Sequence, residues 1–107
     1  MTADIRIYNP ETLGAPLGQY THVTRVRANE FLFIAGMLAA DPEGNIVGEG
    51  DFAAQTAQVF RNIEAALHSD GATFANVVQF TTYLVHSQDI PRFMEFRLAN
   101  FPRMFPG

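Results

Sequence analysis

Two runs of this sequence are apolar on both sides. In residues 30–37, EFLFIAGM, Leu32 and Ile34 alternate with Phe31, Phe33 and Met37. In residues 76–86, NVVQFTTYLVH, Val78, Phe80 and Leu84 alternate with Val77, Tyr83 and Val85. Successive strand residues point to opposite faces, so each run is predicted as a strand with hydrocarbon above and below. Such strands belong to sheets covered on both faces. The remaining sequence offers two helices, enough for one face only. The second face is therefore expected to pack against another copy of the chain, a burial on the order of several kcal/mol at roughly 25 cal/mol per Å².

The clearest helical pattern places Phe52, Thr56, Val59, Phe60, Ile63 and Leu67 on one stripe, the spacing of an amphipathic helix. Asp51 is positioned to cap it, Asp70-Gly71 to end it, and Gln58, Arg61, Asn62 and Glu64 to form its solvated face. A second helix is predicted from about Asp89, with Pro91 in its first turn. Its buried stripe is Ile90, Phe93, Met94, Leu98 and Phe101, and Pro102 should kink or end it. Upstream, DIRIYNP alternates Ile5 and Ile7 with Arg6 and Tyr8, a short strand stopped at Asn9-Pro10. Residues 19–28 are a β-branched strand, predicted to pair as a hairpin with residues 30–37 through ANE. DPEGN follows as a turn, with Pro42 fixing φ. The order β-β-β-α-β-α predicts one α+β domain over residues 1–107, a sheet with two helices on one side.

The balance of charge narrows the function. The chain carries 7 basic and 11 acidic residues, a net charge of −4, and every basic residue is arginine. Nucleic-acid binding draws mainly on phosphate neutralisation, so an acidic domain is poorly suited to it, a local groove built from Arg25 and Arg27 being the exception. The absence of cysteine fits a reducing compartment. The apolar run 31–40 is too short for a membrane span, and the first residues lack the pattern of a secretory signal. A cytoplasmic protein is expected.

Signatures of familiar chemistry are missing, with no phosphate-cradling glycine loop, HExxH or GxSxG. His22, His68 and His86 lack metal-ligand spacing, and no metal site is expected. Tyr20 and His22 share a strand face, a pairing that suits either an acid-base group beside a phenol or a polar seam. Asp51 is explained as a cap and Asp41 as a turn former, while Glu64 and Glu95 lie on solvated helix faces. Gly36 marks either close packing or the approach of a ligand to the backbone.

Taken together, GAPLGQYTHVTRV and EFLFIAGMLAADPEGNIVGEGDFAAQTAQVFRNIEAALHSDGATFANVVQFTTYLV resemble the reactive intermediate deaminase A family (RidA, YjgF or endoribonuclease L-PSP). The resemblance runs from about Gly14 onward, and its most specific part is the Q-T-x-x-V-x-x-N-I block with the Gly-Ala that follows. It implies a homotrimer of chorismate-mutase-like subunits with a mixed sheet and clefts between neighbouring copies. It also implies hydrolysis of reactive 2-imino acids to 2-oxo acids and ammonia, without a cofactor. The alternative is a non-catalytic relative that binds a small ligand or a partner. The ribonuclease in the family's name gains nothing from this acidic balance. Tyr20 matches the family's site tyrosine, and Gly36 the glycine of a turn whose main chain lines the pocket, which favours ligand approach at Gly36. Ala35 and Met37 replace a serine and a glutamine of that turn, and Met94 replaces an asparagine of the second helix. Two further strands, bearing an arginine that grips the substrate carboxylate and a glutamate that positions water, are expected beyond FPRMFPG. Neither Arg97 nor Arg103 matches those positions.

Overall fold

A computed structural model describes residues 4–105. The chain divides into two compact units, Met1–Phe33 and Ile34–Gly107.

The first unit is built on a two-stranded antiparallel ribbon. Strand β1 (Asp4–Tyr8) pairs with β2 (Val23–Arg27) in a register running from Asp4 opposite Arg27 to Tyr8 opposite Val23. Pro10, having no N–H, cannot continue the ladder. Asn9 closes it with its side chain, whose Oδ1 accepts the His22 backbone N–H at 2.8 Å. A 3-10 turn at Glu11–Leu13 follows, and Gly14 turns the chain at φ 71°. The hairpin expected between residues 19–28 and 30–37 is not formed; β2 pairs with β1 instead. A tight hairpin at Ala28-Asn29-Glu30 would need positive φ, and no described residue other than glycine takes one.

In the second unit, α1 (Phe52–Ser69) starts at Asp51, whose Oδ1 accepts the Ala54 N–H at 3.1 Å, and ends at Asp70 with Gly71 at φ 75°. Its boundaries are those the sequence predicts. Thr56, Phe60 and Leu67 are buried along the expected stripe. Helix α2 (Ile90–Met104) carries Pro91 in its first turn. Pro102 lies in its last turn without stopping it, because the Leu98 carbonyl it leaves unpaired belongs to an exposed residue that water can reach. Of the five residues predicted for the α2 stripe, two are buried. Phe93 and Phe101 are buried, but Ile90, Met94 and Leu98 are exposed, and Met104 completes the buried face.

The core of this unit is aromatic. Phe60 stacks on Phe96 with ring centroids 5.5 Å apart and meets Phe101 edge to face at 5.6 Å. Phe74, Phe80, Phe93 and Phe105 extend the same cluster. Offset and edge-to-face rings add to the gain from burial alone. Between the helices, Thr73 and Asn76 cap the 3-10 turn Phe74–Asn76 reciprocally, which delivers Phe74 to Phe60.

The two-sided runs 30–37 and 76–86 form no ladder within the described residues, so the sheet is a two-stranded ribbon rather than the larger mixed sheet expected. Alternating hydrocarbon favours an extended backbone, but a strand needs a neighbour with free donors and acceptors at matching spacing. Phe33, Tyr83 and Val85 are accordingly 90%, 91% and 91% exposed. No helix among the described residues is long and apolar enough to cross a membrane.

Candidate functional site

In the first unit the loop before β2 folds onto Tyr20. The Tyr20 ring lies over Gly18, where a Cβ would make ordinary contact at 3.5 Å from Cε1. The Leu17 N–H donates to the Tyr20 hydroxyl at 3.4 Å, a long bond that leaves the phenol proton free to donate elsewhere. Tyr20 is half exposed and meets the His22 ring edge to face, centroids 5.9 Å apart. The His22 Nδ1 is buried without a hydrogen-bond partner among the described residues. The strand expected over residues 19–28 is only Val23–Arg27, so Tyr20 and His22 precede it, and it is the loop rather than strand alternation that sets the phenol beside the imidazole.

In the second unit Ala35 and Gly36 are exposed and Met37 is half-buried. A Cβ built on Gly36 meets nothing within 4 Å among the described residues, and its φ lies outside the left-handed region. Neither packing among the described residues nor backbone strain requires a glycine there. His68 and His86 are exposed. Met94 lies on the exposed side of α2, where its Sδ accepts from Arg97 Nη1 at 3.9 Å.

The chain leaving Gly36 is held by a side chain expected to be solvated. Asn62, on α1, donates its amide protons to the carbonyls of Leu38 and Ala40 at 3.0 and 2.9 Å. Its own Oδ1 accepts from Gln58 Nε2 at 2.8 Å, and Gln58 Oε1 accepts from Arg61 Nη2 at 2.9 Å. One signal could have revealed this role. Asparagine competes with the helix for backbone hydrogen bonds and is a poor choice for a helix interior, so Asn62 in mid-helix asks for a partner outside it.

Beyond the anchor, Asp41 organises the turn. Its Oδ1 accepts the N–H groups of Asn45 at 2.8 Å and Glu43 at 3.0 Å. The Asn45 N–H is the main influence holding this carboxyl below its ordinary 3.8, with partial desolvation opposing it and the Asn45 side chain and Glu43 N–H assisting. Ala40 and Ile46 form a bridge across the turn.

A sequence model of the family described as endoribonuclease L-PSP matches residues 12–104. The chain is similar to a RutC family protein of Pyrococcus horikoshii, 35% identical over 97 residues, which are 91% of this chain and 75% of that protein. It is also similar to a chloroplastic Reactive Intermediate Deaminase A of Arabidopsis thaliana, 32% identical over 102 residues, 94% of this chain and 53% of the plant protein. It spans only 57% to 61% of three other RutC family proteins. A crystal structure of a conserved Rid-family protein of unknown function from Yersinia pestis is similar with a TM-score of 0.78 and 35% identity, over 96% of this chain and 77% of the other.

Proposed function

The chain belongs to the endoribonuclease L-PSP family, the Rid proteins, and on that footing we propose that it hydrolyses reactive 2-imino acids to 2-oxo acids and ammonia. In this reaction water adds to the C=N carbon, the nitrogen gains protons, and the resulting carbinolamine expels ammonia as its hydroxyl becomes the ketone. Such chemistry asks a protein to orient the imine, supply hydrogen bonds to the developing charge and hold one water. The observation that carries the reading is Gly36, an exposed glycine over open space that neither packing nor φ demands. An unshielded backbone there can approach a flat imino acid closely. Tyr20, with its phenol proton free, is the donor for the substrate. Ala35, Met37 and Met94 line the substrate's hydrocarbon part. The likeness to the plant deaminase supports the reaction class, and a homotrimer would cover Phe33, Tyr83 and Val85. The protein works in the cytoplasm without metal or cofactor.

The test is ammonia release from 2-iminobutyrate generated in situ. Acceleration is expected, and Tyr20→Phe should lower it by about tenfold for one lost hydrogen bond to a charged group. No acceleration by the wild-type protein discards the deaminase reading. A second reading is favoured by the hydrocarbon character of Ala35, Met37 and Met94, where polar groups would suit an imino acid better. It makes the protein a small-ligand-binding member, for which a ligand raises thermal stability without turnover.

A further inference from the structure

The β1–β2 ribbon concentrates positive charge that the rest of the first unit does not answer. Alternation along each strand places Asp4, Arg6 and Tyr8 on one face, and the register sets Arg27, Arg25 and Val23 opposite them in that order. Arg6 and Arg25 are therefore direct cross-strand partners, a placement in which like charges destabilise the ladder. Three of the chain's seven basic residues share this face although its net charge is −4. One carboxylate, Asp4, stands opposite Arg27. No ion pair to Arg6, Arg25 or Arg27 is formed among the described residues, and all three are exposed. Asp4, Ile5, Arg6, Ile7, Arg25 and Arg27 line an open groove of about 560 Å³.

We propose that this ribbon binds a small multiply charged oxyanion, a phosphate monoester or a diphosphate, clamped between Arg6 and Arg25 with Arg27 at its flank. The residue type suits the ligand, since the planar guanidinium fork matches phosphate oxygens two at a time where an ammonium acts as a point charge. Arg6 is held in place by its own strand, its guanidinium lying over the Tyr8 ring at 4.8 Å from the centroid. A bound anion turns the Arg6–Arg25 repulsion into two attractions to a shared centre. Asp4 counters only Arg27, and it disfavours an anion seated at that end of the groove. Within the first unit a long polyanion would find no continuing track of charge, because Arg6, Arg25 and Arg27 are the arginines of Met1–Phe33.

Titration calorimetry with inorganic pyrophosphate at low ionic strength tests this, and it needs no imine substrate, so it stands apart from the deaminase assay. Saturable uptake is expected, weakened about tenfold or more in Arg25→Gln and in Arg6→Gln by loss of charge-assisted hydrogen bonds. Arg25→Lys should also bind more weakly although its charge is kept. Arg92→Gln, which removes an arginine already paired with Asp89 at 3.0 Å, should bind like the wild type. In anion-free buffer Arg25→Gln should melt no lower than the wild type, because it relieves a repulsion. The proposal is overturned if pyrophosphate does not saturate the wild type, or if Arg92→Gln weakens binding as much as Arg25→Gln. It is equally overturned if Arg25→Gln is the less stable protein without anion, or if single-stranded RNA binds where pyrophosphate does not.

Discussion

The side-chain amide of Asn62 donates to the Ala40 carbonyl at 2.9 Å and, with its second proton, to the Leu38 carbonyl at 3.0 Å, so one helical residue fixes the exit of the Gly36 turn. Asn62→Leu leaves the part-buried bond to the Ala40 carbonyl unmade and the Leu38 carbonyl with only the Ala40 N–H at 2.9 Å, and should destabilise the fold by about 1–3 kcal/mol. Asn62→Asp keeps the bond from Gln58 but cannot serve the carbonyls, and should lose nearly as much. Hydrogen exchange locates the effect. The Val47 N–H, bonded to the Ala39 carbonyl at 2.8 Å, and the Asp41 N–H, bonded to the Asn45 carbonyl at 3.0 Å, should lose protection before α1 does.

Gly36 and Gly48 should respond in opposite ways to alanine. At Gly48, φ is +71° and a new Cβ would lie 2.7 Å from the Ala54 Cβ, so Gly48→Ala should cost at least about 1 kcal/mol in a urea melt. At Gly36 the Cβ enters open space, and Gly36→Ala should fold with unchanged stability. Its deaminase turnover should nevertheless fall on the order of tenfold, because the methyl displaces the substrate from the backbone. Full activity in a well-folded Gly36→Ala protein would remove this glycine from the site.

The Asp41 turn carries a pH signature. The folded-state carboxyl titrates below the ordinary value of 3.8, chiefly through the Asn45 N–H. Its contribution is therefore complete above that ordinary value and is lost as pH falls through the lowered one. In urea unfolding followed against pH, the wild type should exceed Asp41→Ala by a constant margin near neutrality. That margin should shrink below about pH 4, where the unfolded carboxyl begins to bind its proton.

Phe60 is the hub of the aromatic cluster, touching the rings of Phe74, Phe80, Phe96 and Phe101. Phe60→Ala should cost about 3–5 kcal/mol, as truncation of a buried aromatic does, and calorimetry should find it partly unfolded at ambient temperature. Phe60→Leu, which fills most of the space, should cost less than half as much.

The parts of this fold that were legible in advance are those whose causes are local. Asp51 caps α1 because a carboxylate beside four unpaired N–H groups has one obvious use, and Gly71 ends it because left-handed φ suits glycine. Phe93 and Phe101 followed from helical spacing. Met94 and Leu98 did not, since a stripe says which side chains share a face but not how much of that face another element covers. The pairing of β2 with β1 was missed because alternation is equally good in residues 5–8 and 30–37, and only ladder geometry chooses between them. Tyr20 does lie beside His22, but not by the strand period of two expected of them, since both precede β2 and the loop brings the rings together. The Asn62 anchor depended on a loop 22 residues upstream, a distance at which helix periodicity is silent.

The aromatic cluster is made of phenylalanine alone, and the chain has three tyrosines and no tryptophan. The tyrosines lie outside it, with Tyr8 37%, Tyr20 51% and Tyr83 91% exposed. Intrinsic fluorescence is therefore blind to the interior of this molecule and reports its periphery. An emission change on adding a small molecule would be a signal from the loop around Tyr20 or from the outer faces, while loss of the interior must be followed by near-ultraviolet dichroism.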